Sequence, residues 1–516
     1  MSNSGLQDIL PLSPMQEGML FHRLYDEDAP DVYAVQLTVD LEGELSVPSL
    51  RAAARALLAR HSGLRAAFRH EGLSRPVQLI PKVVPLPWYD HDLTDHPEGE
   101  REARLAELLK ADRYAPFDLM KPPLVRFLCV RLAEDKYVFV MSNHHLLFDG
   151  WSQPIVLRDL LTLYGTGGDA SGLPPVRPPR AHLEWLSRRD GAADRAAWAE
   201  VMEGFDEPSL LVPSASGAPP ASGAPPALPE LLELALDADT TASLTQRARS
   251  LGVTPSTMVQ TAWALVLAQH TGRDDVVFGA TVSGRPVEVA GAETMVGLFI
   301  NTLPVRIRLR PAETLAGLVT RVQQEQAGLM PHHHYDLPSI KQLSGLRGDT
   351  PLFDSLLIYE NYPSAPAGAV GAAEDGGGLR IAGFRGRDAT HYPLTLMAIP
   401  GTELILRLSY RQDLLDLTTA STLGERLMRA LRTLAGETAT PVGRLDVLEQ
   451  RERALPGAHR GPVAPAPAKS LPVLFEERVR AVPDAVAVVC GDVALSYAEL
   501  DGRVNRLARL LVSRGV

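Results

Sequence analysis

The sequence predicts an α/β protein, an α+β sandwich made of two pieces of similar size, with a short third piece at the carboxyl end. Three observations carry this. Two Pro/Ala-rich stretches interrupt the chain, PSASGAPPASGAPPALP at 213–229 and PGAHRGPVAPAPAKS at 456–470. Such composition builds neither a core nor regular structure and reads as linker. Both large pieces, 1–212 and 230–455, mix segments of period-two alternation with segments of helical periodicity. At 516 residues and 45% hydrophobic, the chain can fill more than one core.

The elements follow in order. Residues 32–41, VYAVQLTVDL, alternate and read as a strand. In SVPSLRAAARALLARH, Ser46 is an N-cap, Pro48 sits in the first turn, and Leu50, Leu57 and Leu58 share a face, so this is a helix. Residues 124–132 and 137–142 are apolar strands around the polar turn Glu134–Asp135–Lys136. An amphipathic helix is expected around Val156, Leu157, Leu160, Leu161 and Tyr164. In the second piece LLELALD and DDVVFGATV read as strands and 255–271 as a helix. The Gly/Ala/Pro-rich stretch 363–378 reads as a long loop.

Composition excludes several classes of function. The net charge is −11 with no Lys/Arg run, which argues against nucleic acid or an anionic membrane as the main partner. Cys129 and Cys490 lie far apart, so no disulfide framework or thiolate metal site is expected. The amino terminus, MSNSGLQDILPLSP, lacks a basic stretch followed by an apolar run. No apolar run approaches the ~18 residues of a membrane span. A cytoplasmic monomer in a reducing compartment is expected.

The chemistry concentrates in YVFVMSNHHLLFDGWS at 137–152. A buried-type strand runs into His144 and His145, and Asp149–Gly150 follows at the turn into a helix. Neighbouring side chains on a strand face opposite ways. One imidazole is therefore expected to face a cleft and the other the packed side. Imidazole titrates near neutrality and can accept or steer a proton. Gly150 would let a backbone N–H approach a developing charge. Asp149 is expected to hold the loop through a buried ion pair with Arg285, or else Arg65. A histidine at a strand end is most often a core side chain, and that ordinary reading predicts lost stability where the catalytic one predicts lost turnover. The run His332–His333–His334 cannot turn three adjacent side chains to one ion, so no metal site is expected.

HHLLFDG matches the HHxxxDG signature, and the chain resembles the condensation domains of nonribosomal peptide synthetases. Further segments resemble that family in its order: LPLSPMQEGMLFH (10–22), RHSGLRAAF (60–68), FGATVSGRP (278–286), MVGLFINTLPVRI (295–307), HHHYDLPSI (332–340) and FDSLLIYENYP (353–363). The tyrosine-rich motif usual after the catalytic segment is degenerate here. Residues 471–516, with LFEERVRAVPDAVAVV and LSYAELDGRVNRLARLL, resemble the start of an adenylation domain.

The resemblance implies two chloramphenicol-acetyltransferase-like lobes in a V-shaped pseudo-dimer. It implies a tunnel entered from opposite sides by phosphopantetheine arms of an upstream donor and a downstream acceptor carrier domain. No cofactor bound by the chain itself is implied. His145 would be the residue facing the tunnel, and Met15, Glu17, Trp151, Ser283, Asn301 and Tyr359 are candidate tunnel-lining residues. Two other readings stay open: an epimerase of the same superfamily, and a non-catalytic platform that recruits partner enzymes. PLSPMQEGMLFH and QAGLMPHHHYDLPSI resemble the variants that take a D-configured donor.

Overall fold

The structure is a computed structural model that describes residues 5–25, 31–212, 228–346, 348, 350–361, 379–448, 469–490 and 493–515. Most of both linkers and all of the 363–378 stretch lie outside them. The chain divides into two compact units, Met1–Val447 and Leu448–Val516.

In the first unit the amino-terminal elements are β1 (Leu6–Pro11), α1 (Pro14–Tyr25), β2 (Ala34–Glu42), α2 (Val47–Arg60), β3 (Ala67–Arg69), β4 (Val77–Pro81) and β5 (Trp88–Asp92). They continue with α3 (Glu98–Tyr114), β6 (Val125–Ala133), β7 (Lys136–His144), α4 (Ser152–Gly165), α5 (Arg180–Leu186) and α6 (Gly191–Met202). Then come β8 (Glu230–Leu236), α7 (Ala238–Leu251), α8 (Pro255–Thr271), β9 (Asp275–Val282), β10 (Asn301–Arg308), α9 (Leu315–Leu329) and α10 (Leu337–Lys341). The last are β11 (Ser355–Tyr359), β12 (Arg380–Arg387), β13 (Leu394–Ile399), β14 (Leu404–Tyr410) and α11 (Leu417–Gly436).

Local chemistry sets the ends of these elements. Ser46 accepts a hydrogen bond from Ser49 N and opens α2. Thr254 does the same for α8, which Gly272 closes in the left-handed region, the usual glycine stop.

Two large sheets carry the unit, in strand orders β12-β2-β7-β6-β5 and β10-β9-β11-β13-β14-β8. Strand β7 is central in the first sheet and buried from Tyr137 to His144. On one face, Phe139 and Met141 share a core with Leu50 and Leu57 of α2 and Val156 and Leu160 of α4. On the other, Val138 and Val140 share a cluster with Leu105, Leu108 and Leu109 of α3. In the second sheet, Leu394, Leu396, Leu406 and Leu408 form a core with α8, α9 and α11.

Packing does not stop at the linkers. Strand β12, from the second piece, pairs antiparallel with β2 and becomes an edge of the first sheet. Helix α6, from the first piece, sends Trp198 and Met202 into a cluster with Val277, Leu303 and Phe353. A Pro/Ala run marks where the chain lacks core residues; it does not mark where one packed layer gives way to the next.

The second unit holds helix Leu471–Ala481, the antiparallel pair Val486–Cys490 and Val493–Ser496, and helix Tyr497–Ser513. Ser496 and Glu499 form a capping box. None of its described residues is buried. Among all the described residues, no single helix is long and apolar enough to cross a membrane.

Candidate active site

Strand β7 ends at His144, so His145 is the first residue of the turn, one step beyond the strand on which alternation places it. Its backbone N–H still donates to Tyr33 O at 2.8 Å, continuing the β2–β7 ladder. The two imidazoles divide sharply. His144 is fully buried, and its Nδ1 accepts from Leu146 N at 3.1 Å. The proton of a neutral His144 ring therefore sits on Nε2, which lies 3.3 Å from Asp31 Oδ2, poorly aligned for a hydrogen bond. His145 is half-buried, and its Nδ1 lies 3.0 Å from Phe148 O. A carbonyl oxygen only accepts, so Nδ1 must donate, and the lone pair of a neutral ring is left on Nε2.

Asp149 is buried and fully engaged. One oxygen accepts from Ser152 N (2.9 Å), Ser152 Oγ (2.8 Å) and Arg285 Nη2 (3.0 Å). The other accepts from Phe299 N (2.9 Å) and Ile300 N (3.3 Å). A carboxylate spent in this way is an anchor and has no lone pair to spare for a substrate. It ties the β7–α4 turn to the segment leading into β10. Arg285 is held in turn by the Ala292 and Met295 carbonyls (2.5 and 2.9 Å), with its guanidinium 4.3 Å from the Phe299 ring centroid. Burial pulls the Arg285 pKa below its ordinary value, and Asp149 opposes that pull.

Arg65, the alternative partner, lies elsewhere. It is buried and donates to Pro81 O (3.0 Å), Ala59 O (2.9 Å), Leu58 O and Gln7 Oε1. Gly150 opens the turn into α4, its carbonyl accepting from Gln153 N at 3.3 Å. It does not occupy the left-handed region. The need for glycine falls instead at Gly284, with φ +56, where a side chain would run into the Phe299 carbonyl.

Beside the anchor lies a narrow cavity. Ser13, Pro14 and Met15 form one wall and Phe299, Ile300 and Asn301 another, with His182, Gly284, His333 and His334 also lining it. Of the six proposed tunnel residues, Met15 and Asn301 line this cavity and four do not. Trp151 gives its indole N–H to Glu293 O at 3.0 Å. Glu17 and Ser283 are exposed. Tyr359 packs against the core of the second sheet. Asn301 uses its amide on His333 O, Tyr335 O and Thr302 N, so it frames the cavity. Burial pushes His182 and His333 down to about 4; His332 and His334 add to the effect at His333, whereas the Gly284 carbonyl and Asp149 oppose it at His182. His332 and His334 instead grip Asp194, at 2.7 and 2.8 Å. No group of three or more His, Cys, Asp and Glu among the described residues is arranged to hold a metal.

Sequence reasoning missed Asp31 and Tyr33, just before β2: Asp31 lies beside the His144 ring and the Tyr33 carbonyl takes the His145 N–H. Only the β2–β7 register brings them there, and no local motif announces it.

A family model described as "Condensation domain" matches residues 6–455. A linear gramicidin synthase protein of Brevibacillus parabrevis is 35% identical over 518 residues, covering 100% of this chain and 10% of that protein. Surfactin synthase subunit 3 of Bacillus subtilis (strain 168) is 33% identical over 518 residues, covering 100% of this chain and 40% of that protein. This chain thus spans well under half of either relative. Among solved structures, the first condensation domain of the calcium-dependent antibiotic synthetase, in complex with a substrate analogue, aligns with a TM-score of 0.68 at 21% identity. It covers 86% of this chain and 100% of that one. A four-domain nonribosomal peptide synthetase bound to AMP and glycine aligns with a TM-score of 0.72 at 18% identity, covering 99% of this chain and 39% of that one. At these identities the structural likeness speaks to the fold.

Proposed function

The chain belongs to the condensation-domain family, and from that premise we propose that it forms an amide bond between two carrier-bound thioesters. The donor is an aminoacyl or peptidyl thioester and the nucleophile is the amino group of an acceptor aminoacyl thioester. The observation that carries the reading is the tautomer of His145. With Nδ1–H given to Phe148 O, the Nε2 lone pair is free to orient or deprotonate an amine. As the amine adds to the thioester carbonyl, Nε2 takes or steers its proton, and collapse of the tetrahedral adduct expels the thiolate. Asp149, with Arg285, Ser152 and the Phe299 and Ile300 amides, fixes the turn on which His145 stands. His144 is a packing residue in this scheme.

The thioesters would arrive on phosphopantetheine arms of an upstream donor and a downstream acceptor carrier. A downstream adenylation domain in the same polypeptide is proposed from the resemblance of 471–516 to its start. A cytoplasmic setting follows from the same context. A D-configured donor is proposed from the likeness of PLSPMQEGMLFH and QAGLMPHHHYDLPSI to variants that take one.

The test is an assay with two loaded carrier proteins. A dipeptidyl thioester on the acceptor supports condensation. A donor residue of scrambled configuration supports epimerisation, and binding without turnover supports a recruiting platform.

A further inference from the structure

Tyr33 joins the catalytic strand to a distant part of the chain. Its backbone carbonyl accepts the N–H of His145 at 2.8 Å, and its ring lies against His144 with centroids 6.2 Å apart. Its own N–H donates to Asp31 Oδ1 at 3.1 Å. Its hydroxyl lies 2.8 Å from His391 Nδ1. His391 stands between β12, which has crossed into the first sheet, and β13, which belongs to the second. The His391 ring is stacked on His22 of α1 and packed against Tyr392, each centroid 4.0 Å away.

The geometry points to Tyr33 and His391 as positioning residues for His145: their side-chain hydrogen bond fixes the β2 end that holds the His145 backbone. This rests on reading His145 as the group that meets the attacking amine. Burial keeps both partners of the bond uncharged. Burial raises the Tyr33 pKa well above the ordinary tyrosine value, with Tyr392 and Asp31 adding to it. Burial pushes His391 down to about 3, with His22 and Arg411 adding to the effect. The bond therefore joins a neutral phenol and a neutral imidazole. His145 has one other tether, its Nδ1–H on Phe148 O. Losing the hold on Tyr33 frees the His145 backbone to drift, and the ring moves with it. A misplacement of this kind is felt in the chemical step more than in binding.

The test uses the full chain with loaded carriers and, separately, chain labelled with ¹⁵N-histidine. Tyr33→Phe and His391→Phe each keep a ring in place and delete the bond. Each is expected to lower kcat about tenfold while KM stays within about twofold. The double variant should be no slower than the slower single one, because one bond is lost in all three. His391→Asn, whose amide can take the place of Nδ1, should restore most of the rate. In the ¹⁵N spectra the His145 ring signals should move in Tyr33→Phe. Wild-type kcat in Tyr33→Phe overturns the proposal. So do unmoved His145 signals, or rate losses that track melting temperature and are not rescued by His391→Asn. Full activity of His145→Ala would sink the reading of His145 as the group that meets the amine, and the spectra would still decide whether Tyr33 and His391 position that ring.

Discussion

His144 and His145 stand at the end of a buried strand, and His332, His333 and His334 stand in the turn between α9 and α10. Both runs are followed by an aspartate, and in both a buried carboxylate lies nearby. In the second run the carboxylate takes the histidines: Asp194 binds His332 and His334, and the α6 segment is clasped to the turn. In the first run Asp149 ignores the histidines altogether and is spent on Ser152, Arg285, Phe299 and Ile300. His145 is oriented instead by a backbone carbonyl, which leaves Nε2 uncommitted. The partner of the other ring nitrogen decides whether a histidine braces the fold or can handle a proton.

The largest effect expected from this contrast is at the anchor. Asp149→Ala leaves the Arg285 cation buried and unpaired, and breaking such a pair costs roughly 3–5 kcal/mol. Chemical denaturation should show a loss of that size, with activity falling alongside. A variant as stable as the parent would mean that the Asp149 network carries little of the fold.

Next comes His145→Ala, which should cut condensation by at least ~10²-fold, the scale of losing a general base. The melting temperature should barely move, because the side chain is half-buried and has one hydrogen bond. Loss of stability with turnover retained would place His145 with the bracing histidines.

Donor configuration ranks third. Inverting the alpha carbon swaps side chain and hydrogen, and overpacking of that kind costs ~1–3 kcal/mol. That is roughly a 5- to 150-fold preference. Paired assays with L- and D-aminoacyl donors on one carrier should favour D. A clear preference for L would show that PMQEG reports lineage.

A pH dependence is expected as well, from the two buried histidines that line the cavity. His182 and His333 are held down to about 4 by burial, whereas in the unfolded chain they titrate near 6.5. The unfolded state therefore binds more protons between those values, and stability should fall as pH drops from about 6.5 towards 4. Thermal melts across that window should show it, and a His182→Phe/His333→Phe variant should flatten the slope. An unchanged slope would remove these two residues as its source.

What could be read from the sequence follows from how local each feature is. Helix α2 announces itself through Ser46 and Pro48, which act within one turn, and α8 through its apolar periodicity. The β7–α4 connection is visible because an apolar strand, a turn glycine and an amphipathic helix are contiguous. For Asp149 the chain offered Arg285 and Arg65, and the structure puts the first at 3.0 Å and turns the second to carbonyls near α2. The hold of Asp31 and Tyr33 on the histidines depends on strand register. The return of β12 to the first sheet depends on topology, and no linker or periodicity records it.

The most direct measurement is the intact mass of the acceptor carrier after incubation with a loaded donor carrier, using the parent chain and His145→Ala side by side. The account predicts a mass increase equal to the donor acyl group with the parent, and little or none with His145→Ala. Equal transfer by both proteins, or no transfer by a well-folded parent, would contradict it.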